Sequence, residues 1–151
     1  MNNALITLGT IFNNKFVYIP LLAMAAAQLI KLIYYFILEH RLNFKLLFST
    51  GNMPSSHSSL VAALATVVGL QSGFDSAMFG IAFAFASIVM YDAAGIRRAA
   101  GKQARILNRM VDDLLVQHHF EGERLKEFMG HTPVEVYVGM ALGIAVALFL
   151  Y

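Results

Sequence analysis

VYIPLLAMAAAQLIKLIYYFIL, residues 17–38, decides the fold: a long apolar run whose polar interruptions are Gln28 and Lys31. Crossing a bilayer takes roughly 20 mostly apolar residues. At a rise of 1.5 Å per residue this stretch is roughly 33 Å long as a helix. Three further runs have the same character: SSHSSLVAALATVVGL at 55–70, SAMFGIAFAFASIVMYDAA at 76–94, and 133–151. The pattern predicts an all-α integral membrane protein with four transmembrane helices in a single domain, residues 1–151. Residues 1–14, MNNALITLGTIFNN, are apolar but too short to cross, and read as an N-terminal half-helix, interfacial or re-entrant. No basic segment precedes that stretch and no A-x-A-like site follows it, which argues against a cleaved leader.

Composition agrees. Of 151 residues, 58% are hydrophobic and 13% charged, with a mean hydropathy of +0.64. Soluble domains carry about 45–50% apolar and about 25% charged residues. The difference excludes an ordinary soluble globule, a disordered chain and a nucleic-acid partner. The chain has no cysteine, so disulfides and thiolate metal sites are excluded too.

The net charge of +2 matters less than its placement. The loop between the first two spans holds Arg41 and Lys45, and residues 95–132 hold Arg97, Arg98, Lys102, Arg105, Arg109, Arg124 and Lys126. The loop between the second and third spans has no Lys or Arg. Positive loops stay inside, so this face is expected to be cytoplasmic, with both termini opposite. The small size and lack of a targeting segment lean toward a bacterial cell membrane. Within the long loop, residues 98–119 place apolar side chains at helical spacing between Lys, Arg and Asp. The simplest reading is an amphipathic helix on the cytoplasmic membrane surface; an extension of the third span is the alternative.

Ionisable residues in a membrane span are costly and usually functional. Here they gather at one face: His57 at the start of the second span, Tyr91 and Asp92 at the end of the third, His131 at the start of the fourth, and Lys31 about two turns inside the first. Plain structural roles account for several of them singly. Thr132-Pro133-Val134-Glu135 fits a capping box with Pro at the first helical position. Arg97 and Arg98 suit positive-inside anchors, and His118 and His119 a solvated helix face. Gly139 and Gly143 form a G-x-x-x-G packing face, which leaves a homodimer open. The combination is better explained by an oxyanion site. Helix N-termini attract phosphate, and histidine serves both as nucleophile toward phosphorus and as general acid. Glu135 stands one turn after His131, where a carboxylate orients the ring.

These blocks resemble the type 2 phosphatidic acid phosphatase family, related to vanadium haloperoxidases and bacterial acid phosphatases, and more closely its small divergent membrane branch. The family's Pro-Ser-Gly-His is matched by Pro54-Ser55-Ser56-His57, and its His-x-x-x-Asp by His131-x-x-x-Glu135 followed by Gly139. GNMPSSHSS, YDAAGIRRAAGKQA and LKEFMGHTPVEV together carry the likeness to that branch. The resemblance implies His131 as the nucleophile, Glu135 as its orienting carboxylate and His57 as the acid for the leaving group. Ser55 and Ser56 would then hold phosphate oxygens. Lys31 matches the start of the family's Lys-x6-Arg-Pro, but Leu38 and Glu39 follow, and Glu123-Arg124-Leu125 replaces the Ser-Arg before the nucleophile. Arg97, Arg98 or Lys126 must therefore complete the phosphate clamp, supported by Tyr91 and Asp92.

The expected activity is a metal-independent, cofactor-free hydrolysis of a lipid or isoprenoid phosphate or diphosphate. Membrane lipids are the expected surroundings. Two rivals remain. A degenerate relative would bind lipid phosphate headgroups without cleaving them. A metal enzyme would use Asp92, Asp112, Asp113, His118 and His119 as an oxygen and imidazole site. A transporter fits less well, because the polar groups collect at one face and line no path.

Overall fold

In the computed structural model the described residues are 10, 13–40, 53–115 and 130–151, without the side chains of Arg97, Asp113, Leu114 and Leu115. They form five helices and no strand: α1 Lys15–Glu39, α2 Ser56–Ser72, α3 Ala77–Ala94, α4 Ile96–Leu115 and α5 Pro133–Leu150. Local chemistry sets the starts. Asn14, Ser55, Ser76 and Thr132 occupy the N-cap positions of α1, α2, α3 and α5, each side chain accepting from a first-turn N–H. Between α2 and α3 the chain turns at Gly73, with φ of 90°, a conformation in which glycine carries no Cβ penalty.

Three helical stretches are long and apolar enough to cross a membrane: Lys15–Glu39, Ala77–Asp112 (which contains α3) and Pro133–Leu150. The remaining expected span is α2, with 17 residues. It is the shorter helix and the innermost. Ten of its residues are buried, against two in α3, because α1, α3 and α5 all pack on it. On α3, Met78, Ile81, Phe85 and Ile88 point outward, each more than half exposed; a helix with such an apolar surface belongs in lipid.

The contacts fix the directions. Ser55, at the start of α2, donates its N–H to the Glu135 carbonyl in the first turn of α5, and at the other end the Tyr151 hydroxyl donates to Gln71 Oε1. Thus α2 and α5 run parallel. Lys15 Nζ lies 4.4 Å from the Tyr151 ring centroid, so α1 runs antiparallel to both. Ala23, Ala63 and Ala147 meet around Ile19 and Val67 where these three helices join, and Val61, Ala65 and Ala86 join α2 to α3. Small residues let helix backbones approach, which is how membrane helices gain packing energy. Gly139 and Gly143 show this most sharply. A Cβ at either would collide with the α2 backbone, at Ser55 and Ser59 respectively. The G-x-x-x-G face is thus used inside the chain, not left for a second copy.

The amphipathic helix starts earlier than the sequence suggested, one residue past α3, and is described to Leu115; residues 116–119 lie outside the described residues, as do 1–9, 11 and 12 of the N-terminal segment. The junction is Gly95, with φ −103° and ψ −84°. Gly95 N donates to Tyr91 O (2.8 Å), closing α3, and Ala99 N donates to Gly95 O (2.9 Å), opening α4. Hence α4 follows α3 directly, with non-helical dihedrals at the single residue between them.

Candidate functional site

The parallel pairing of α2 with α5 brings both N-termini to one end of the bundle, where α1 and α3 terminate. Exposed N–H groups and the positive ends of two helix dipoles meet there. His131, just ahead of the Thr132 cap, is buried, and its backbone N–H donates to the Ala93 carbonyl at 3.2 Å. That bond satisfies a carbonyl in the last turn of α3, one that no later residue of that helix can reach. The nucleophile candidate is therefore pinned against the segment holding Tyr91 and Asp92.

Thr132 and Glu135 form the complete capping box. Glu135 N donates to Thr132 Oγ1 at 3.4 Å and Thr132 N donates to Glu135 Oε2 at 3.1 Å. One carboxylate oxygen thereby holds the turn carrying His131, and the other oxygen retains its acceptor capacity. Glu135 also receives Ser55 N on its carbonyl at 3.1 Å. The Pro54–His57 motif is thus docked on the first turn of α5, and Gly139, one turn further on, lets the Ser55 backbone approach. From the third side comes Lys31. It is only 2% exposed, and the Glu135 charge acts on it. An amine of α1 and a carboxylate of α5, from distant parts of the chain, are thus within electrostatic reach of each other.

The serines divide their work. Ser55 Oγ accepts from Ser58 N at 3.4 Å and from Ser58 Oγ at 2.9 Å, and Ser59 Oγ donates to the Ala23 carbonyl of α1 at 3.0 Å. Ser58 and Ser59 were missed as site-building residues, although a run of serines opening an otherwise apolar helix is visible in the sequence. They hold the turn beneath His57 rather than the ligand. Ser56 is buried beside them, whereas His57 is exposed on the first turn of α2.

Not every candidate converges. Tyr91 is 76% exposed and lines, with Ser87, Met90, Ala94, Pro133 and Tyr137, a cavity of about 270 Å3 between α3 and α5. Asp92 is half-buried, Arg98 is exposed on α4, and Arg97 is described in its backbone alone. Lys126, His118 and His119 lie outside the described residues. Among the described residues no group of three His, Asp or Glu side chains forms a metal-binding cluster.

Comparison with known proteins now adds to this geometry. Residues 12–146 match the model of the family described as the Divergent PAP2 family, PAP2 denoting type 2 phosphatidic acid phosphatase. The chain belongs to that family. A relative from Bacillus subtilis (strain 168), the uncharacterized membrane protein YuiD, is 42% identical over an alignment covering 86% of this chain and 89% of the relative. No solved structure matches. A divergent PAP2 member is a membrane protein of phosphatase-related ancestry, and the matched span covers α1, α2, α3 and all of α5 but its last turn.

Proposed function

We propose that this divergent PAP2 protein hydrolyses a phosphate or diphosphate ester of a lipid or isoprenoid alcohol through a phosphohistidine at His131. The observation that carries the reading is the docking of the Pro54–His57 turn onto the His131–Glu135 turn through Ser55 N and the Glu135 carbonyl, with buried Lys31 within electrostatic reach of Glu135. Two histidines, a carboxylate, a cation and two helix N-termini then serve one anion.

In this mechanism a His131 ring nitrogen attacks phosphorus, forming the P–N bond as the bond to the leaving oxygen breaks. His57, on the exposed turn, gives that oxygen its proton. Water then attacks phosphorus, His57 takes the water's proton, and the P–N bond breaks to release inorganic phosphate. Glu135 orients His131 and stabilises its positive charge. Lys31, Ser56, the amides of the 55–58 turn and the Arg97, Arg98 and Lys126 set bind the phosphate oxygens. Fixed positive groups do the work of a metal ion in stabilising the transferring group. Apolar space between α3 and α5 supports a hydrocarbon-bearing substrate. The Tyr91 cavity is followed toward the far end of the bundle by one of about 370 Å3 lined by residues that include Phe79, Phe83, Met140 and Leu148. We place the protein in the cell membrane with this end cytoplasmic, following the basic loops.

The test is phosphate release by purified protein from a panel of lipid phosphates and isoprenoid diphosphates. Release that survives EDTA, falls with vanadate and vanishes in His131→Ala supports the reading. Release retained in His131→Ala overturns it. The second reading, a phosphate-headgroup binder without turnover, is favoured by the absence of the family's Arg motifs and by the use of Ser55 Oγ as a helix cap. It predicts lipid phosphate binding that His131→Ala leaves unchanged.

A further inference from the structure

We infer that α4 is an interfacial helix that docks on an anionic lipid surface, its apolar face in the leaflet and its basic stripe held at headgroup level. The inference does not rest on the catalytic reading. At 100° per residue, Ile96, Ala99, Ala100, Gln103, Ile106, Leu107, Met110 and Val111 fall on one face of α4, while Arg98, Lys102, Arg105 and Arg109 fall within a narrow sector of the other. Among the described residues the apolar face is left largely uncovered. Ile96 is 64% exposed, Ile106 55%, Leu107 48% and Met110 56%. Only α3 packs against α4 among the described helices, through the shared joint.

Three features choose the occupant. Through Gly95 the helix is joined to the end of α3, whose outward residues face lipid, so its first turn stands at the bilayer boundary. The exposed basic side chains are complementary to an anionic leaflet, and no acidic residue interrupts them before Asp112. A large apolar face opposite a cationic one is the composition of helices that lie in the interface, bound by buried apolar area together with attraction to anionic lipid. Gly95, whose dihedrals leave the helical region and where the last bond of α3 ends and the first of α4 begins, supplies the joint between the two helices.

The chain contains no tryptophan, so Leu107→Trp gives a single reporter at the centre of the apolar face. The full protein carrying it is placed in nanodiscs of phosphatidylcholine alone or mixed with phosphatidylglycerol, with brominated acyl chains as quencher. The expected result is blue-shifted emission and strong bromolipid quenching in the anionic discs, both reduced in phosphatidylcholine alone. Quenching falls again at about 1 M salt, where the screening length is about 3 Å. Replacing Arg98, Lys102, Arg105 and Arg109 by Gln abolishes the dependence on lipid charge. A Trp on the outward face of α3, at Ile81, reports intact insertion in every sample through quenching that ignores lipid charge. Emission at Leu107→Trp typical of water, with no quenching while Ile81→Trp is quenched, overturns the inference. So does quenching equal in both lipids, and so does emission that shifts with protein concentration instead of lipid, which assigns the face to a second copy.

Discussion

Replacing Gly139 by Ala adds one methyl group where the structure has no room for it. An ideal Cβ there lies 3.1 Å from both the carbonyl carbon and the nitrogen of Ser55, and closer still to the Ser55 oxygen. Comfortable contacts between carbon atoms are about 3.5–4.0 Å, so α5 must withdraw from α2 by about 0.5 Å or more. The obstacle is backbone, which no rotamer change relieves. Overpacking of this kind costs about 1–3 kcal/mol, and the upper half of that range is expected because the move also stretches the 3.1 Å bond from Ser55 N to the Glu135 carbonyl. Gly80→Ala on α3 is the control: a Cβ there meets nothing within 4 Å, and Ala is favoured over Gly in a helix by about 1 kcal/mol. The assay is loss of helical circular dichroism in a fixed detergent as SDS or temperature rises. Gly139→Ala should unfold earlier than the parent and Gly80→Ala should not. Equal behaviour of the two variants would refute the close parallel packing of α2 on α5, and with it the geometry of the site.

Other consequences follow from the same contacts. Thr132→Ala removes one half of the capping box and should lower stability by about 0.5–2 kcal/mol in the same assay. Ser59→Ala removes the bond to the Ala23 carbonyl and should cost about 0.6 kcal/mol, the average for interhelical hydrogen bonds in membranes; an unchanged midpoint would count against that bond. Lys31→Met should destabilise the protein more than Lys31→Arg, because it removes the basic group within electrostatic reach of Glu135. Combining Lys31→Met with Glu135→Gln should recover part of the loss, with a double-mutant coupling of about 0.5–3 kcal/mol; strict additivity would deny the interaction. EDTA should leave phosphate release unchanged, since fixed cations supply the charge, and a loss reversed by added metal would restore the metal-enzyme reading.

Parts of this structure were legible in the sequence for clear physical reasons. Apolar length marks α1, α3 and α5 because the bilayer demands it, and Thr132-Pro133-x-Glu135 marks the start of α5 because the capping box is a local device. His131 and Glu135 are one helical turn apart, so their association needs no knowledge of the fold. What could not be read is which helix the others surround. The sequence shows α2 to be less apolar than α3, but not that its ten buried residues are covered by α1, α3 and α5. For the same reason Gly139 and Gly143 announced a packing face without naming Ser55 and Ser59 as what packs there. Lys31 was marked by its depth in an apolar run, yet Glu135 as its counter-charge depends on α1 meeting α5, a tertiary fact. The exposure of His57 likewise follows from its register on α2, where its neighbours Ser56 and Ser58 take the buried positions.

The central claim concerns a covalent bond to His131, and the most direct measurement is to trap it. Purified protein is mixed with a lipid phosphate carrying labelled phosphorus and quenched in alkali within the first turnovers. The account predicts a labelled protein whose label is stable to base, released by acid, located on His131 and absent from His131→Ala. Phosphate released with no label on the protein, or label that persists in His131→Ala, would contradict it.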